Sequence, residues 1–171
     1  MDHEQGGLTE RELDAWQTFF LMQEVVRARI EQQLQACGGL SNADYTVLAV
    51  LSEAPDRRLR IFQMGAALGW EKSRLHHQIT RMCGRGLVER QRGDARAIHV
   101  ALTPRGHAAL AEAAPAHSRH VRELVIDRLT PAQIDQLAAI SHTILDGLRG
   151  NAPETGEDGE APTDGRAGLP C

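Results

Sequence analysis

The sequence predicts a mainly α-helical protein that carries one small β-hairpin, and three observations support this prediction. Apolar residues recur at helical spacing over most of the chain. Between residues 62 and 85, one short helical pattern ends at Gly69 and a second begins almost at once, which is the spacing of a helix-turn-helix. Two short alternating runs, 87–92 and 97–102, then flank the turn residues 93–96, as in a hairpin. Together they predict a winged helix-turn-helix.

Two capped helices are expected at the N-terminal end. Thr9 and Glu12 have the spacing of a capping box, which predicts the start of a long first helix. Gly38 and Gly39 predict its end. Ser41 is the expected N-cap of a second helix, from Asn42 to Glu53.

The helix expected over residues 71–85 is apolar on one side and polar on the other. Leu75, Ile79 and Met82 recur at helical spacing and can share a buried face. The side chains expected to point away from that face are Lys72, Ser73, Arg74, His76, His77, Gln78 and Arg81.

Two further helices complete the chain. Thr103-Pro104 predicts an N-cap and first turn of a helix to about Leu124, which Pro115 should kink or split. Thr130 and Gln133 predict the cap of a last helix. The amphipathic terminal regions, about 9–37 and 103–148, lack enough other surface to pack on, so we expect them to form a homodimer around a central lobe of about 41–102.

Composition fits one domain. A chain of 171 residues with 42% hydrophobic side chains can build a core of ordinary size. Residues 151–171 are rich in Gly, Pro and acidic groups, which predicts a disordered acidic tail. The three cysteines have no CxxC spacing, and the chain contains no long apolar run. These features favour the cytoplasm and argue against a membrane segment.

Charge is concentrated in the centre of the chain. Although the whole sequence has a formal charge of −4, residues 57–107 contain 11 Lys and Arg against 3 Asp and Glu, a net charge of +8. A basic segment of this kind favours contact with phosphate groups. A solvated basic face without any partner is the alternative that charge alone leaves open.

Three motifs give the chain a resemblance to the MarR family of winged helix-turn-helix transcriptional regulators. They are Arg85-Gly86-Leu87-Val88, Asp94-x-Arg96 and Leu102-Thr103-Pro104-x-Gly106, and the similarity extends over about residues 8–148. The resemblance implies a mostly helical obligate dimer whose recognition helices enter the major groove of double-stranded DNA. It also implies that the hairpin wings reach the adjacent minor grooves.

This resemblance assigns roles to the outward residues. Arg74 is the expected base reader, because Arg pairs with guanine in the major groove, whereas Lys72 and Ser73 are expected on phosphates. Arg96 is expected in the minor groove, with Asp94 orienting its guanidinium; a simple surface ion pair is the alternative. The predicted operator is an imperfect palindrome. The DNA-binding residues predicted in total are Lys72, Ser73, Arg74, His76, His77, Arg81, Asp94 and Arg96.

The resemblance further implies a repressor that a small aromatic or phenolic anion releases from DNA. Its expected pocket residues are Trp16, Phe19, Phe20 and Tyr45, although an aromatic stripe more often belongs to a core.

Other functions were weighed from the same sequence. No catalytic motif is present, so we predict no enzyme, and neither a cofactor nor a metal site is expected. The alternatives are a DNA-architectural or interaction module without an effector, or a metal or redox sensor of the same family. The residues that raise the sensor alternatives are His117 with His120, and Cys37 with Cys83, although Cys83 is expected in the core.

Overall fold

The structure, a computed structural model, describes residues 7–92 and 97–150, of which residues 149 and 150 are described by their backbone only. Its helices are α1 (Glu10–Gly38), α2 (Asn42–Glu53), α3 (Ile61–Leu68), α4 (Lys72–Gly84), α5 (Pro104–Leu124) and α6 (Pro131–Gly150). Its strands are β1 (Arg58–Arg60), β2 (Val88–Arg92) and β3 (Ile98–Leu102). The chain divides into one unit that runs to Val121 and a second that begins at Arg122.

Local hydrogen bonds define the helix ends. The capping box predicted at Thr9 is present, with the Glu12 side chain bonded back to the N-cap backbone. Ser41 is the N-cap of α2 as predicted, and Asp44 completes a second capping box there. Gly39 ends α1 in the left-handed region at φ 61°, which a residue without a Cβ adopts freely. The prediction of a mainly helical fold with a small β-sheet is confirmed.

The sheet has one strand more than the predicted hairpin. Its order is β1-β3-β2, and β1 pairs antiparallel with β3, so that Arg58 lies opposite Ala101 and Arg60 opposite His99. The sequence of β1, Arg-Leu-Arg, is too short to show an alternating pattern. Asp56 and Arg57, at φ 51° and 53°, reverse the chain just before it.

The core of the first unit lies between α1, α2, α3, α4 and the sheet. Leu34 of α1 is fully buried against it, although most of that helix is exposed. The largest fully buried apolar side chains are Leu34, Leu40, Val47, Leu48, Leu51, Met64, Leu75, Ile79, Met82, Val88 and Val100.

Two of the sequence motifs form one joint between α4, the hairpin and α5. The Thr103 hydroxyl lies 2.8 Å from the Gly86 carbonyl oxygen and 3.0 Å from that of Leu87. The same hydroxyl oxygen accepts the backbone N–H of Gly106 at 3.0 Å. A Cβ added at Gly106 would lie 2.0 Å from the Leu87 oxygen, so only glycine permits this close approach.

Helix α5 is continuous through Pro115, so the predicted alternative of a split is wrong. Proline removes one backbone hydrogen bond, but the surrounding residues 108–116 are mostly alanine, the residue that favours helix most. Their propensity offsets part of that loss.

None of the helices within the described ranges is both long enough and apolar enough to cross a lipid bilayer.

Candidate DNA interface

Helix α4 separates an apolar side from a basic side. Leu75, Ile79 and Met82 are fully or almost fully buried, and Cys83 is buried beside them, which confirms its predicted place in the core. Six predicted site residues on α4 are exposed, and we call them the basic face: Lys72, Ser73, Arg74, His76, His77 and Arg81. The structure therefore brings these six side chains together on one solvent-facing helix surface.

The first turn of α4 faces solvent. The side chain at its N-cap position does not bond to the backbone N–H groups of this turn. Glu71 occupies the N-cap position and makes no side-chain capping hydrogen bond. The amide groups of Lys72, Ser73 and Arg74 follow it in the first turn, where the helix dipole is positive. This end of the basic face can therefore accept an anion.

Arg74 is the basic-face residue that an aromatic ring holds in place. Its guanidinium carbon lies over the ring of Trp70, 4.4 Å from the ring centroid. Trp70 is half-buried and packs against the core. Arg74 is nevertheless exposed to solvent.

The helical spacing predicted that the side chain of Gln78 points outward, but in the structure it is buried. Its amide nitrogen donates a 2.6 Å hydrogen bond to one carboxylate oxygen of Asp44, and Asp44 is 1% exposed. A buried polar side chain needs such a partner, and Asp44 supplies it from α2. The position of Gln78 at the edge of the apolar face allowed either orientation.

Asp44 is the centre of a polar network that sequence reasoning missed. Its second carboxylate oxygen accepts the Ser41 backbone N–H at 2.9 Å and the Arg85 guanidinium at 2.6 Å. Arg85 also donates to the Gly39 carbonyl at 2.8 Å, and Arg81 donates to the Gln78 oxygen at 3.1 Å. The network thus joins the end of α1 and the start of α2 to α4 and its C-cap residue Arg85.

Hydrogen bonding and charge keep Asp44 ionised. Burial raises the pKa of this carboxyl group, but the hydrogen bonds with Ser41 and the positive charge of Arg85 outweigh it, so that its pKa lies below the usual value. An ionised Asp44 holds both Gln78 and Arg85.

The hairpin of β2 and β3, which we call the wing, is tied to α4. The Arg90 guanidinium of β2 donates to the Thr80 hydroxyl of α4 at 2.8 Å, and that hydroxyl donates to the His76 carbonyl at 2.9 Å. The two predicted wing residues, Asp94 and Arg96, lie outside the described residues.

The four predicted pocket residues make two separate sets of ring contacts. Trp16 lies 6.2 Å from the rings of both Phe19 and Phe20 on α1. Tyr45 of α2 instead contacts the ring of His117 on α5, with centroids 4.2 Å apart. Trp16 and Phe20 are 55% and 54% exposed, so they are not part of the core.

The surroundings of Tyr45 and His117 favour their neutral forms. Burial raises the pKa of Tyr45, while burial and then the nearby charge of His120 lower the pKa of His117. His120 lies 3.3 Å from the Arg29 carbonyl, and Cys37 is exposed. In the part of the chain that the structure describes, no three His, Cys, Asp or Glu side chains are placed to share a metal ion.

Helix α3, the helix α4 that follows it with its exposed basic face, and the adjoining wing define a winged helix-turn-helix protein. No family model matches the chain, and no curated protein sequence matches it either. Solved structures do match. The chain is 35% identical to AbsC, a MarR family transcriptional regulator from Streptomyces coelicolor, over 85% of this chain and 99% of AbsC, with a TM-score of 0.80.

It is also 33% identical to Sco3205, a MarR family regulator from the same organism solved in complex with DNA. That match covers 83% of this chain and 94% of Sco3205, with a TM-score of 0.79. The fold is shared with BpsR of Bordetella bronchiseptica, whose DNA binding is regulated by 6-hydroxynicotinic acid, at 20% identity over 82% and 99% of the chains and a TM-score of 0.71. The chain belongs to the MarR family of transcriptional regulators, which are not enzymes.

Proposed function

We propose that the protein is a homodimeric, sequence-specific DNA-binding repressor, and that a small aromatic or phenolic anion releases it from its operator. The observation that carries DNA binding is the basic face of α4, on which all six predicted residues are exposed. Its relative Sco3205, at 33% identity, was solved in complex with DNA.

Within this proposal, the basic face divides its contacts. Lys72 and Ser73 lie in the first turn of α4 and bind phosphate, helped by the positive end of the helix. Arg74 reads a guanine edge in the major groove. On the wing, Arg96 enters the minor groove and Asp94 orients it.

A second copy of the chain is proposed on the exposed apolar sides of α1 and α6. On each of these helices several large apolar side chains are exposed, and clustered exposed apolar side chains mark an interaction site. On α1 these residues are Leu13, Trp16, Phe20, Leu21, Met22 and Val25. On α6 they are Leu137, Ile140, Ile144, Leu145 and Leu148.

The effector is proposed to bind among Trp16, Phe19, Phe20 and Tyr45. Two of these rings, those of Trp16 and Phe20, are more than half exposed in the protomer and lie on the side of α1 proposed to meet the second copy, so the pocket is proposed to form at that contact. A flat aromatic anion could stack on such surface. BpsR, which has the same fold, responds to an anion of this class.

DNA selection tests the main proposal. The purified protein is incubated with a randomised duplex library, and the recovered duplex is compared with a scrambled duplex at physiological salt. A repressor of this class should select an inverted repeat and bind it at least about a thousandfold more tightly than the scrambled duplex. Equal binding to both duplexes would favour an architectural module and contradict a sequence-specific regulator.

Effector release is tested on the selected duplex. Salicylate and 6-hydroxynicotinate serve as probes of the aromatic-anion class, with acetate as the control for charge. Either aromatic anion should dissociate the complex at concentrations at which acetate does not, and Trp16→Ala should weaken that response. If neither probe acts, the aromatic-anion proposal fails while DNA binding stands.

A further inference from the structure

We infer that Trp70 is a specificity-determining residue, because it fixes the guanidinium of Arg74 in the orientation in which Arg74 meets a base. This inference rests on the proposed DNA-binding function and adds a residue outside the predicted site. It concerns the turn between α3 and α4, where Trp70 stands one residue before the N-cap of α4.

Trp70 is itself held on two sides. Gly69 ends α3 in the left-handed region at φ 62°, and the Trp70 backbone N–H donates to the Gly65 carbonyl at 3.2 Å. The Trp70 side chain is half-buried and packs against the core. The ring is therefore a fixed surface rather than a free side chain.

Arg74 stands on this surface. Its guanidinium carbon is 4.4 Å from the Trp70 ring centroid, within the range of a cation–π interaction, for which Trp is the best partner. Among the residues that the structure describes, Arg74 has no hydrogen-bonding or ion-pairing partner. Trp70 is thus the contact that orients it.

Orientation matters because the guanidinium is planar. A guanidinium that rests one face on an aromatic ring keeps its N–H edge available for two parallel hydrogen bonds to guanine O6 and N7, and this is the arrangement inferred for Arg74. An arginine that is ordered before binding loses less side-chain freedom when it meets DNA. The same ordering at a phosphate contact would add affinity but no base discrimination, since phosphates carry no sequence information.

We predict that the effects of substituting Trp70 and Arg74 on DNA binding depend on each other, whereas the effects of substituting Trp70 and Arg81 are independent. Arg81 is the matched control, because it lies on the same basic face but is bonded to Gln78. Trp70→Leu should weaken binding to the selected duplex about three- to tenfold and reduce discrimination at one base pair per half-site. Trp70→Phe, which keeps an aromatic face, should retain most of that discrimination.

Two double-variant cycles test the inference, each on the selected duplex and on duplexes changed at single base pairs. Trp70→Leu should cost little in the Arg74→Ala background, whereas its effect should add fully to that of Arg81→Ala. Circular dichroism melts and sedimentation confirm that each variant is folded and assembled as the parent is. If Trp70→Leu destabilises the fold, both cycles are repeated with Trp70→Met, which keeps a large apolar side chain on the core but has no aromatic face.

The possible outcomes distinguish a failure of the role of Trp70 from a failure of the proposed DNA-binding function. Equal losses from Trp70→Leu in the parent and in both arginine backgrounds overturn the role of Trp70 and leave the proposed function intact. Unchanged discrimination in Trp70→Leu does the same. A parent that selects no duplex at all overturns the proposed function, and this inference with it.

Discussion

Helices α4 and α6 are both amphipathic, yet α4 buries its apolar side and α6 leaves its apolar side exposed. Helix α4 buries Leu75, Ile79 and Met82 and turns its basic face to solvent. Helix α6 leaves its apolar residues exposed, and Leu148 reaches 67%. The difference indicates the partner of each helix. A charged exposed face suits phosphate, whereas an apolar exposed face suits a second apolar surface.

The largest effect is expected from substitutions on the exposed apolar side of α6. Leu145→Glu with Leu148→Glu should produce monomers, because charges would be placed within the proposed dimer contact. Operator affinity should then fall by about a hundredfold or more, although neither residue is proposed to touch DNA, since two linked readers become independent. Sedimentation and a gel-shift titration measure the two changes.

A matched control uses the same helix. Asp135→Lys together with Asp146→Lys changes charge on α6 at exposed polar positions and should preserve the dimer. A Leu145, Leu148 double variant that is monomeric yet binds as tightly as the parent would contradict the dimeric interpretation.

Substituting Asp44 tests how much the buried polar network contributes to the stability of the protein. Asp44→Ala removes the acceptor for Gln78 and Arg85 and the capping-box carboxylate of α2, so the free energy of unfolding should fall by about 2 to 4 kcal/mol. Urea denaturation at neutral pH measures this loss. A fall of less than about 0.5 kcal/mol would show that water replaces the network.

The contribution of Asp44 to stability should also be visible as the pH is lowered. Because the folded state lowers the pKa of Asp44, its contribution to stability is complete above the carboxyl's usual pKa and is lost as the pH falls through the lower folded value. Asp44→Asn should therefore lose less additional stability than the parent between neutral pH and strong acid. Parallel losses in both proteins would show that Asp44 does not contribute to the acid response.

Features formed by residues close together in the chain could be predicted from the sequence, whereas contacts between distant residues could not. The capping boxes at Thr9 and Ser41 involve residues three apart, so their pattern is visible in the chain. The hydrogen bond from Gln78 to Asp44 spans 34 residues, and that from Arg85 spans 41, so neither leaves a local pattern. Strand β1 was missed for a related reason, since three residues become a strand only beside β3.

The wing provides a smaller effect. Arg96→Ala should weaken operator binding by about 1 to 3 kcal/mol and leave the dimer unchanged, because the guanidinium is proposed to enter the minor groove. Gel-shift titration with an A·T-rich flank and with a G·C-rich flank measures it. An affinity unchanged on both flanks would remove the wing from the mechanism and leave recognition to α4.

The smallest expected effect concerns residues 151–171. Their deletion removes five acidic residues and one arginine, a net charge of −4. We expect binding to random duplex to tighten slightly, by less than about threefold, because less negative charge competes for the basic face. Filter binding at low and physiological salt measures this, and a large drop in melting temperature would instead show that these residues stabilise the fold.

The central claim is that α4 contacts DNA and that the exposed apolar sides of α1 and α6 contact a second copy of the chain. The stoichiometry of the DNA complex tests this claim most directly. Sedimentation of the parent with the selected duplex, and with the same duplex scrambled in one half-site, gives both mass and affinity. Two chains should bind per inverted repeat, with half-site centres about 10 base pairs apart, and scrambling one half should reduce affinity at least about a hundredfold. A single chain per duplex, with affinity unchanged by the scrambled half-site, would contradict the account.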